Sequence, residues 1–417
     1  MKRRDNIYAL YADANGEIFD APAIAAARIG NSIVRLKPGD LIKLPDSADL
    51  MFMPDRPAIA FERNNQTITL EGNAVAALLP AGFTRTHLPA FARARAKTPL
   101  PLFGYTAVVL YRDELHAAAI FTDENSKWEP SRFNTPELRK RINRVKRDLP
   151  GNRLVEHLAH CSLEWHCLTA QNLFYHRWEA GLPTSPTCNA NCLGCISLQT
   201  SECCPAPQSR ITFKPTVEEI AAIGAYHLQS APEAIVSFGQ GCEGEPSLAA
   251  DRLAEAIKLI RAKTPRGMIN INSNAGFTAG LKKIIDAGLD SIRVSIISAR
   301  AECHDAYYRA NYSIDDVKNS IRYALERGVY VSLNLLYFPG FNDRRDELDA
   351  WLDFLQELPI DMIQIRNLNI DPDYFLDIMP QSKSIAVGTK HFLSTIRNRF
   401  PKLQIGNFSH YNEEGQQ

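Results

Sequence analysis

The chain has 417 residues, of which 45% are hydrophobic, and its 47 Lys and Arg balance its 47 Asp and Glu. This length predicts two or three domains with a substantial core, and the ordinary composition excludes fibrous and intrinsically disordered proteins. A formal charge of zero argues against a nucleic-acid partner, because general nucleic-acid binders need a basic surface.

The sequence has neither an apolar run of membrane-spanning length nor a secretory leader pattern, so we expect a cytoplasmic protein without membrane attachment. In that reducing compartment its nine cysteines indicate metal binding or catalysis more readily than disulfides.

The first part of the chain has the pattern of antiparallel strands. Asn15 and Gly16 separate two short β-type segments, which is typical of a hairpin, and residues 105–111 and 115–121 predict another. We therefore expect residues 1–134 to form a β-rich accessory domain. Helical patterns at 135–148 and 152–178 predict a helical connector over residues 135–181.

In the remainder, residues 182–417, the hydrophobic pattern alternates between that of a strand and that of a helix. Amphipathic helical segments separate short β-branched segments, which indicates right-handed βαβ units around a parallel sheet. Six such units are fewer than the eight of a closed barrel, so the predicted fold class is α/β, a partial (β/α)6 TIM-like barrel with an N-terminal β-rich accessory domain. The predicted barrel strands are 182–187, 235–238, 269–271, 292–296, 329–333 and 362–365.

The most informative motif is C-x3-C-x2-C, formed by Cys188, Cys192 and Cys195. Three thiolates in eight residues can converge on a [4Fe–4S] cluster, and they leave its fourth iron without a protein ligand, as a catalytic site requires. The alternatives are a zinc site and ordinary buried cysteines. Structural zinc sites normally pair two such motifs, and the sequence has no second C-x2-C.

These residues resemble the radical S-adenosylmethionine (radical SAM) superfamily, over about residues 184–408. The resemblance implies that the three cysteines hold the cluster, whose open iron binds S-adenosylmethionine. It also implies that Gly244, Glu245 and Pro246 hold the methionine amino group. The other cofactor positions that the resemblance implies are Asn274, Arg293, Ser295 and, near the ribose, Asn334.

Two positions depart from the family pattern. Gly194 stands where an aromatic residue is usual, which moves adenine packing elsewhere and is shared with some activating enzymes. Glu243 replaces the first glycine of the motif before Glu245. Whether Glu243 or Glu245 faces the amino group is therefore open, although Glu245 fits the register.

The other cysteines have open roles. Cys203, Cys204 and Cys242 follow the triad or fall within the motif loop, and we expect them near the mouth of the site. His157 and Cys161 share a helix face at i, i+4 spacing, which suits either a metal or simple packing. Cys167 and Cys303 are interpreted as structural.

The resemblance implies an enzyme that reductively cleaves S-adenosylmethionine to a 5′-deoxyadenosyl radical, which abstracts hydrogen from an unidentified small-molecule or peptide substrate. It further implies a flavodoxin- or ferredoxin-like electron donor and sensitivity to oxygen. Two alternatives remain at this stage. One is a glycyl-radical-type activating enzyme acting on a partner protein, and the other is a non-catalytic iron–sulfur protein for electron transfer or binding.

Overall fold

The computed structural model describes residues 6–93, 98–124, 126–199 and 204–411, which form two sheets and a set of helices. The first sheet, here called the accessory sheet, is antiparallel. Its strands are β1 (Ile7–Ala12), β2 (Ile18–Ile29), β3 (Ser32–Arg35), β4 (Leu41–Lys43), β5 (Asp49–Phe61), β6 (Thr67–Leu78), β7 (Phe83–Arg85), β8 (Leu88–Pro89), β9 (Thr106–Tyr111) and β10 (Glu114–Phe121).

Both predicted hairpins are confirmed. Strands β1 and β2 pair with Ala12 opposite Ile18, and Gly16 in the turn has a φ of 85°. Strands β9 and β10 are joined through Arg112 and Asp113, whose φ values of 54° and 62° give the turn the twist that a two-residue hairpin requires.

Three helices follow, α1 (Leu138–Asp148), α2 (Arg153–Glu164) and α3 (Leu168–Tyr175). The single helix predicted over 152–178 was wrong, because the chain breaks it at His166, whose φ is 51°. At the start of α2 the Asn152 side chain accepts hydrogen bonds from the amides of Leu154 and Val155, which caps that helix.

The second sheet, here called the barrel sheet, contains seven parallel strands in sequence order. The alternation predicted from the sequence is confirmed. Its elements are β11 (Glu179–Gly181), α4 (Val217–Ser230), β12 (Ile235–Phe238), α5 (Ala250–Lys263), β13 (Met268–Ser273), α6 (Thr278–Asp286), β14 (Ser291–Ile296), α7 (Ala301–Tyr308), α8 (Ile314–Glu326), β15 (Tyr330–Tyr337), α9 (Arg345–Glu357), β16 (Met362–Asn367), α10 (Pro372–Ile378), α11 (Thr389–Arg399) and β17 (Gln404–Gly406).

Two strands differ from the prediction. The first lies at Glu179–Gly181 instead of 182–187, because the amide of Leu182 makes the last bond to β12 and the chain then turns away. The short β17 was not predicted, since three residues carry too little periodicity to be recognised.

The barrel sheet is curled but open. Glu179 on β11 contacts Arg293 on β14 at 3.2 Å and Ser409, beyond β17, at 2.8 Å, which a flat sheet of this order would not permit. In the described residues β11 pairs only with β12 and β17 only with β16, so the ends do not close. This is the partial barrel that the sequence predicted.

The accessory sheet packs on the carboxyl end of the last barrel strands through buried arginines. Arg56 pairs with Asp371 at 2.8 Å, and both side chains are almost fully buried. Arg85 donates to the Leu368 carbonyl at 2.6 Å, and burial lowers the pKa of its guanidinium to about 9. A third arginine, Arg28, pairs with Asp373 at 2.8 Å.

A glycine–glycine contact completes this junction. The Gly30 amide donates to the Pro339 carbonyl at 3.0 Å, and Gly340 has a φ of 84°. A Cβ atom at Gly340 would lie 1.9 Å from the Gly30 nitrogen. The turn at 339–343 therefore serves to dock the accessory sheet.

In the described part of the chain, no helix combines the length and the apolar character that crossing a bilayer requires.

We predict that Arg56→Ala lowers the free energy of unfolding by about 3 kcal/mol, because it leaves the Asp371 carboxylate buried and without its ion partner. Chemical denaturation, with limited proteolysis at the junction of the two sheets, measures this loss. The matched control is Arg93→Ala, which removes the solvent-exposed pair between Arg93 and Asp377 at the same junction and should change stability little. Equal losses for both variants would contradict the prediction.

Candidate iron–sulfur and cofactor site

The three motif cysteines lie on the loop that follows β11, residues 182–199, here called the cysteine loop. All three are partly exposed, and none forms a disulfide. Burial raises the pKa of Cys192, and the neighbouring Cys188 and Cys195 raise it further, so the three thiols are close neighbours on this loop. Their sulfur atoms do not all lie within 4.8 Å of one another.

A cation lies beside these thiols. Arg210 Nη2 is 3.6 Å from Cys195 Sγ, and its Nε donates to the Ser197 hydroxyl at 3.1 Å. The Ser197 hydroxyl is also 3.7 Å from Cys195 Sγ. A guanidinium in this position stabilises the thiolate form, which is the form that binds iron.

The end of α7 supports the cysteine loop from the other side. The amides of Asn191 and Leu193 donate to the carbonyls of Tyr308 and Tyr307 at 2.9 and 3.1 Å. A Cβ atom at Gly194 would lie 3.0 Å from the Tyr307 hydroxyl. The glycine before the last cysteine is thus explained by the packing of Tyr307, a cause that the sequence did not indicate.

The loop after β12, residues 239–245, carries two buried carboxylates and is here called the carboxylate loop. Glu243 Oε2 accepts from the amides of Thr184 and Ser185 at 2.7 and 2.9 Å. Its Oε1 accepts from the amides of Gly239 and Gln240, both at 2.7 Å. Burial raises the pKa of Glu243 to about 7, against these four donors, which lower it. Glu243 is therefore occupied in joining the two loops.

Glu245 has a different environment. Its Oε1 accepts from the Ser247 amide at 3.0 Å and the Ser273 hydroxyl at 2.6 Å, whereas Oε2 accepts from the Asn274 amide at 2.9 Å. Burial raises the pKa of this carboxyl. Burial raises the pKa of Cys188, and the Glu245 carboxylate raises it further, so Glu245 lies near the first cysteine.

Gly244 lets the two loops approach. Its amide donates to the Ser185 carbonyl at 2.7 Å, and the next amide, of Glu245, donates to the Thr187 carbonyl at 2.8 Å. A Cβ atom at Gly244 would lie 2.0 Å from the Thr187 oxygen and 3.0 Å from the Cys188 nitrogen. Only glycine allows this contact without displacing the cysteine loop.

Asn274 belongs to the same assembly, because its side chain donates to Asn189 Oδ1, between the first two cysteines, at 2.7 Å. Pro246 is buried and begins the single helical turn that Glu245 caps. The structure thus brings Gly244, Glu245, Pro246 and Asn274 together with the cysteine loop.

Arg293 lies deeper in the barrel and is already paired. Its Nη2 contacts Glu179 Oε1 at 3.2 Å, and both side chains are buried. Glu179 also accepts from the Ser237 hydroxyl at 2.6 Å. Arg293 thus has an internal ion partner, whereas its Nε has no hydrogen-bond partner among the described residues, and its role toward the cofactor stays a prediction.

Ser295 and Asn334 lie on adjacent strands, and Asn334 Nδ2 donates to the Ser295 hydroxyl at 3.4 Å. Arg366 Nε donates to Asn334 Oδ1 at 3.3 Å and extends this pair to β16. Burial lowers the pKa of the Arg366 guanidinium to about 10. Sequence reasoning missed Arg366, which lies on β16 two residues beyond Gln364, the residue opposite Asn334 on β15.

Tyr312 was also missed, and it provides a test of whether the expected cofactors fit. Its hydroxyl is buried without a hydrogen-bond partner among the described residues. Burial raises the pKa of Tyr312, and Cys192, Glu245 and Cys188 raise it further, so this tyrosine lies near the two cysteines and Glu245. An unpartnered polar group near these thiols fits a site built for a further polar group.

Of the other cysteines that the structure describes, Cys303 is buried and hydrogen-bonded to Glu347, and its structural role stays a prediction. Cys204 packs in an apolar cluster with Leu193 and Tyr307. Cys242 points away from the triad toward Cys161, and Cys203 lies outside the described residues.

A large cavity lies at the end of the barrel sheet away from the cysteines. A cavity of about 880 Å³ opens at the amino end of the last barrel strands, where Tyr330, Asp361 and Gln404 line it. The cysteines and both glutamates lie at the opposite, carboxyl end, where barrel active sites form.

We predict that Gly244→Ala weakens the binding of S-adenosylmethionine by about tenfold or more, because the added methyl group separates the carboxylate loop from the cysteine loop. Equilibrium binding to anaerobically reconstituted protein measures this loss. Gly39→Ala is the matched control, since no atom lies within 4 Å of the Cβ position there. Unchanged binding in the Gly244 variant would contradict the predicted contact.

Comparison with known proteins found similar solved structures. The HydG maturase of the [FeFe]-hydrogenase aligns over 67% of this chain and 64% of its own, with 19% identity and a TM-score of 0.39. Methylornithine synthase (PylB) aligns over 64% and 74%, with 17% identity and a TM-score of 0.37. A radical SAM methyltransferase from Sphaerobacter thermophilus aligns over 57% and 68%, with 12% identity and a TM-score of 0.41.

No curated protein matches the chain. In the structural comparison, the aligned part of the chain spans 64% of HydG, which is less than two thirds of its length. The family model of the radical SAM superfamily matches residues 182–355, which begin at the cysteine loop and include the carboxylate loop and the strands up to β15. Residues 182–355 thus match the radical SAM domain.

Proposed function

We propose that this protein is a radical SAM enzyme acting on a small-molecule or peptide substrate, with Cys188, Cys192 and Cys195 as the ligands of a [4Fe–4S] cluster. The observation that carries the proposal is the junction of the cysteine loop with the carboxylate loop. There three neighbouring thiols lie near the Glu245 carboxylate at the carboxyl end of parallel strands.

When bound, the cluster and S-adenosylmethionine supply reductive cleavage of the sulfonium to methionine and a 5′-deoxyadenosyl radical, which abstracts hydrogen from the substrate. The protein's own contribution is to bind and orient these groups. Arg210 stabilises the thiolate of Cys195, and Tyr307 and Tyr308 fix the backbone between the cysteines.

Glu245 is the proposed partner of the methionine amino group. Its Oε2 accepts one hydrogen bond, from the Asn274 amide, whereas Oε1 accepts two, so Oε2 retains capacity for a donor. Glu243 is not proposed for this role, because four backbone amides occupy its carboxylate. The proposal therefore assigns Glu245 to the methionine amino group and Glu243 to joining the two loops.

An anionic group of the cofactor or substrate requires a cation within the barrel. Arg293 is paired with Glu179 through its Nη2, and Arg366 has one hydrogen bond, through its Nε, among the described residues. Its remaining N–H groups are therefore available. We assign Arg366, with Ser295 and Asn334, to the recognition of a carboxylate or another anionic group.

The partly exposed cysteines suit electron entry from a surface partner, and a flavodoxin- or ferredoxin-like donor remains part of the proposal. A cytoplasmic location and sensitivity to oxygen belong to it as well. The accessory sheet lies across the carboxyl ends of β15 and β16, where barrel enzymes bind substrate, so we assign it a role in shaping substrate access.

The alternative of a glycyl-radical-type activating enzyme has no separate support in the site. Gly194, the feature that favoured it, is accounted for by the Tyr307 hydroxyl, which lies 3.0 Å from its Cβ position. A persistent radical on a protein that co-purifies with the chain would support this alternative over a small substrate.

The first test is the cluster and its chemistry. Anaerobically reconstituted protein should bind about four irons per chain and, with dithionite, release 5′-deoxyadenosine from S-adenosylmethionine. Replacement of Cys188, Cys192 and Cys195 by Ala should abolish both, because the cluster loses its ligands. Cys303→Ala, which removes a buried thiol away from the site, should retain both. A cluster that never cleaves S-adenosylmethionine would favour the non-catalytic alternative.

The second test separates Glu245 from the cluster. We predict that Glu245→Gln retains the iron but weakens S-adenosylmethionine binding by about 10- to 100-fold, because a charge-assisted hydrogen bond to the amino group is lost. Isothermal titration under anaerobic conditions measures the affinity. The control is Glu255→Gln on the exposed face of α5. Binding at the parent level in the Glu245 variant would refute its proposed role.

A further inference from the structure

A second group of thiols lies behind the carboxylate loop, on the side away from the cysteine triad. Cys161 on α2 has its sulfur 3.5 Å from His157 Nε2, one helical turn earlier. Cys242, from the carboxylate loop, is hydrogen-bonded to Cys161. The ligand atoms of His157, Cys161 and Cys242 all lie within 4.8 Å of one another.

We propose that His157, Cys161 and Cys242 bind a zinc ion, with Cys167 as the fourth ligand. This site is separate from the cluster site and goes beyond the proposed function. Three residues from two segments, 81 positions apart between Cys161 and Cys242, converge on one point with the donor atoms that zinc prefers.

The spacing favours a single ion over a second cluster. Donor atoms around tetrahedral zinc are roughly 3.8 Å apart, as follows from a Zn–S bond of about 2.3 Å. A group confined within 4.8 Å has this scale. The cysteine triad in the same chain does not meet this limit.

The environment is also that of a structural metal site. Cys161 and Cys242 are buried, with 1% and 5% of their surfaces exposed, whereas His157 is partly exposed. None of the three cysteines in or beside the group forms a disulfide. Structural zinc sites are closed, with four protein ligands and no open position.

Cys167 is placed to complete the coordination. It is the residue that precedes α3, and its amide donates to the Cys161 carbonyl at 3.0 Å, so the two residues share one turn of the connector. Its thiol lies near those of Cys161 and Cys242, outside the group of atoms that lie within 4.8 Å of one another. A change of its side-chain rotamer is the adjustment that the proposal requires.

The consequence for the fold is a link between the connector and the catalytic machinery. Cys242 directly precedes Glu243, and the Cys242 carbonyl accepts from the Ile211 amide at 2.7 Å. A zinc ion here would fix the carboxylate loop to α2, whereas Glu243 and Gly244 fix it to the cysteine loop. The ion is therefore positioned to hold the loop in register rather than to react.

The experiment uses the full chain with Cys188, Cys192 and Cys195 replaced by Ala, so that iron at the triad does not contribute. After expression in zinc-supplemented medium, elemental analysis should find about one zinc per chain, since one site remains. Adding Cys161→Ser, Cys242→Ser or His157→Ala should lower this to about a tenth, in line with the loss of a ligand. Adding Cys303→Ser, a buried cysteine elsewhere, should leave it unchanged.

Cobalt binding to the parent chain provides a spectroscopic readout of the site that needs no substitution at His157, Cys161 or Cys242. Co²⁺ added to the metal-free parent should give the visible bands of a tetrahedral site and a sulfur-to-cobalt charge-transfer band. Cys167→Ser should reduce that band by roughly a third, because two of three thiolates remain. Four outcomes would each overturn the proposal. They are the absence of zinc, iron in its place, zinc retained in the Cys161 variant, and a Cys161–Cys242 disulfide in anaerobically purified protein. An unchanged band in Cys167→Ser would overturn its assignment as fourth ligand.

Discussion

The candidate site depends on one buried carboxylate. Glu243 accepts four backbone hydrogen bonds, two from the start of the cysteine loop and two from its own loop, so it holds both segments at a fixed distance. A buried ionisable group costs free energy unless it is fully hydrogen-bonded, and here the backbone supplies that compensation. Gly244 then permits the direct contact that the carboxylate enforces. This arrangement keeps the three thiols and Glu245 close to one another at the junction of the two loops.

The carboxylate loop is constrained on several sides at once. Glu243 and Gly244 join it to the cysteine loop, Glu245 joins it to the end of β13 through Ser273 and Asn274, and Cys242 contacts Cys161 on the connector. Active-site geometry must be held closely for radical chemistry, and supporting contacts of this kind provide that rigidity. Glu243 and Glu245 therefore have different partners although only Gly244 separates them in the sequence.

The accessory sheet is fixed to the same end of the barrel by buried arginines in addition to apolar packing, in which Leu88 joins a buried cluster with Phe338 and Phe375. Arg28, Arg56 and Arg85 each end on a carboxylate or carbonyl of the segments after β16. Such contacts are directional, so they fix the orientation of the sheet as well as its attachment. The turn at 339–343 contributes a backbone contact with Gly30. The site is therefore bordered by two sheets of different architecture.

The sequence by itself determined the alternating barrel, both hairpins and the cysteine triad, because hydrophobic period, turn residues and ligand spacing are local properties. The tertiary structure decided which groups meet across distance. It paired Arg293 with Glu179, placed Arg366 beside Asn334 and Tyr312 near the cysteines, and moved Cys242 from the expected mouth to the connector. The reason is physical: the curl of the sheet and the burial of the loops set these contacts, and neither leaves a periodic signal in the chain.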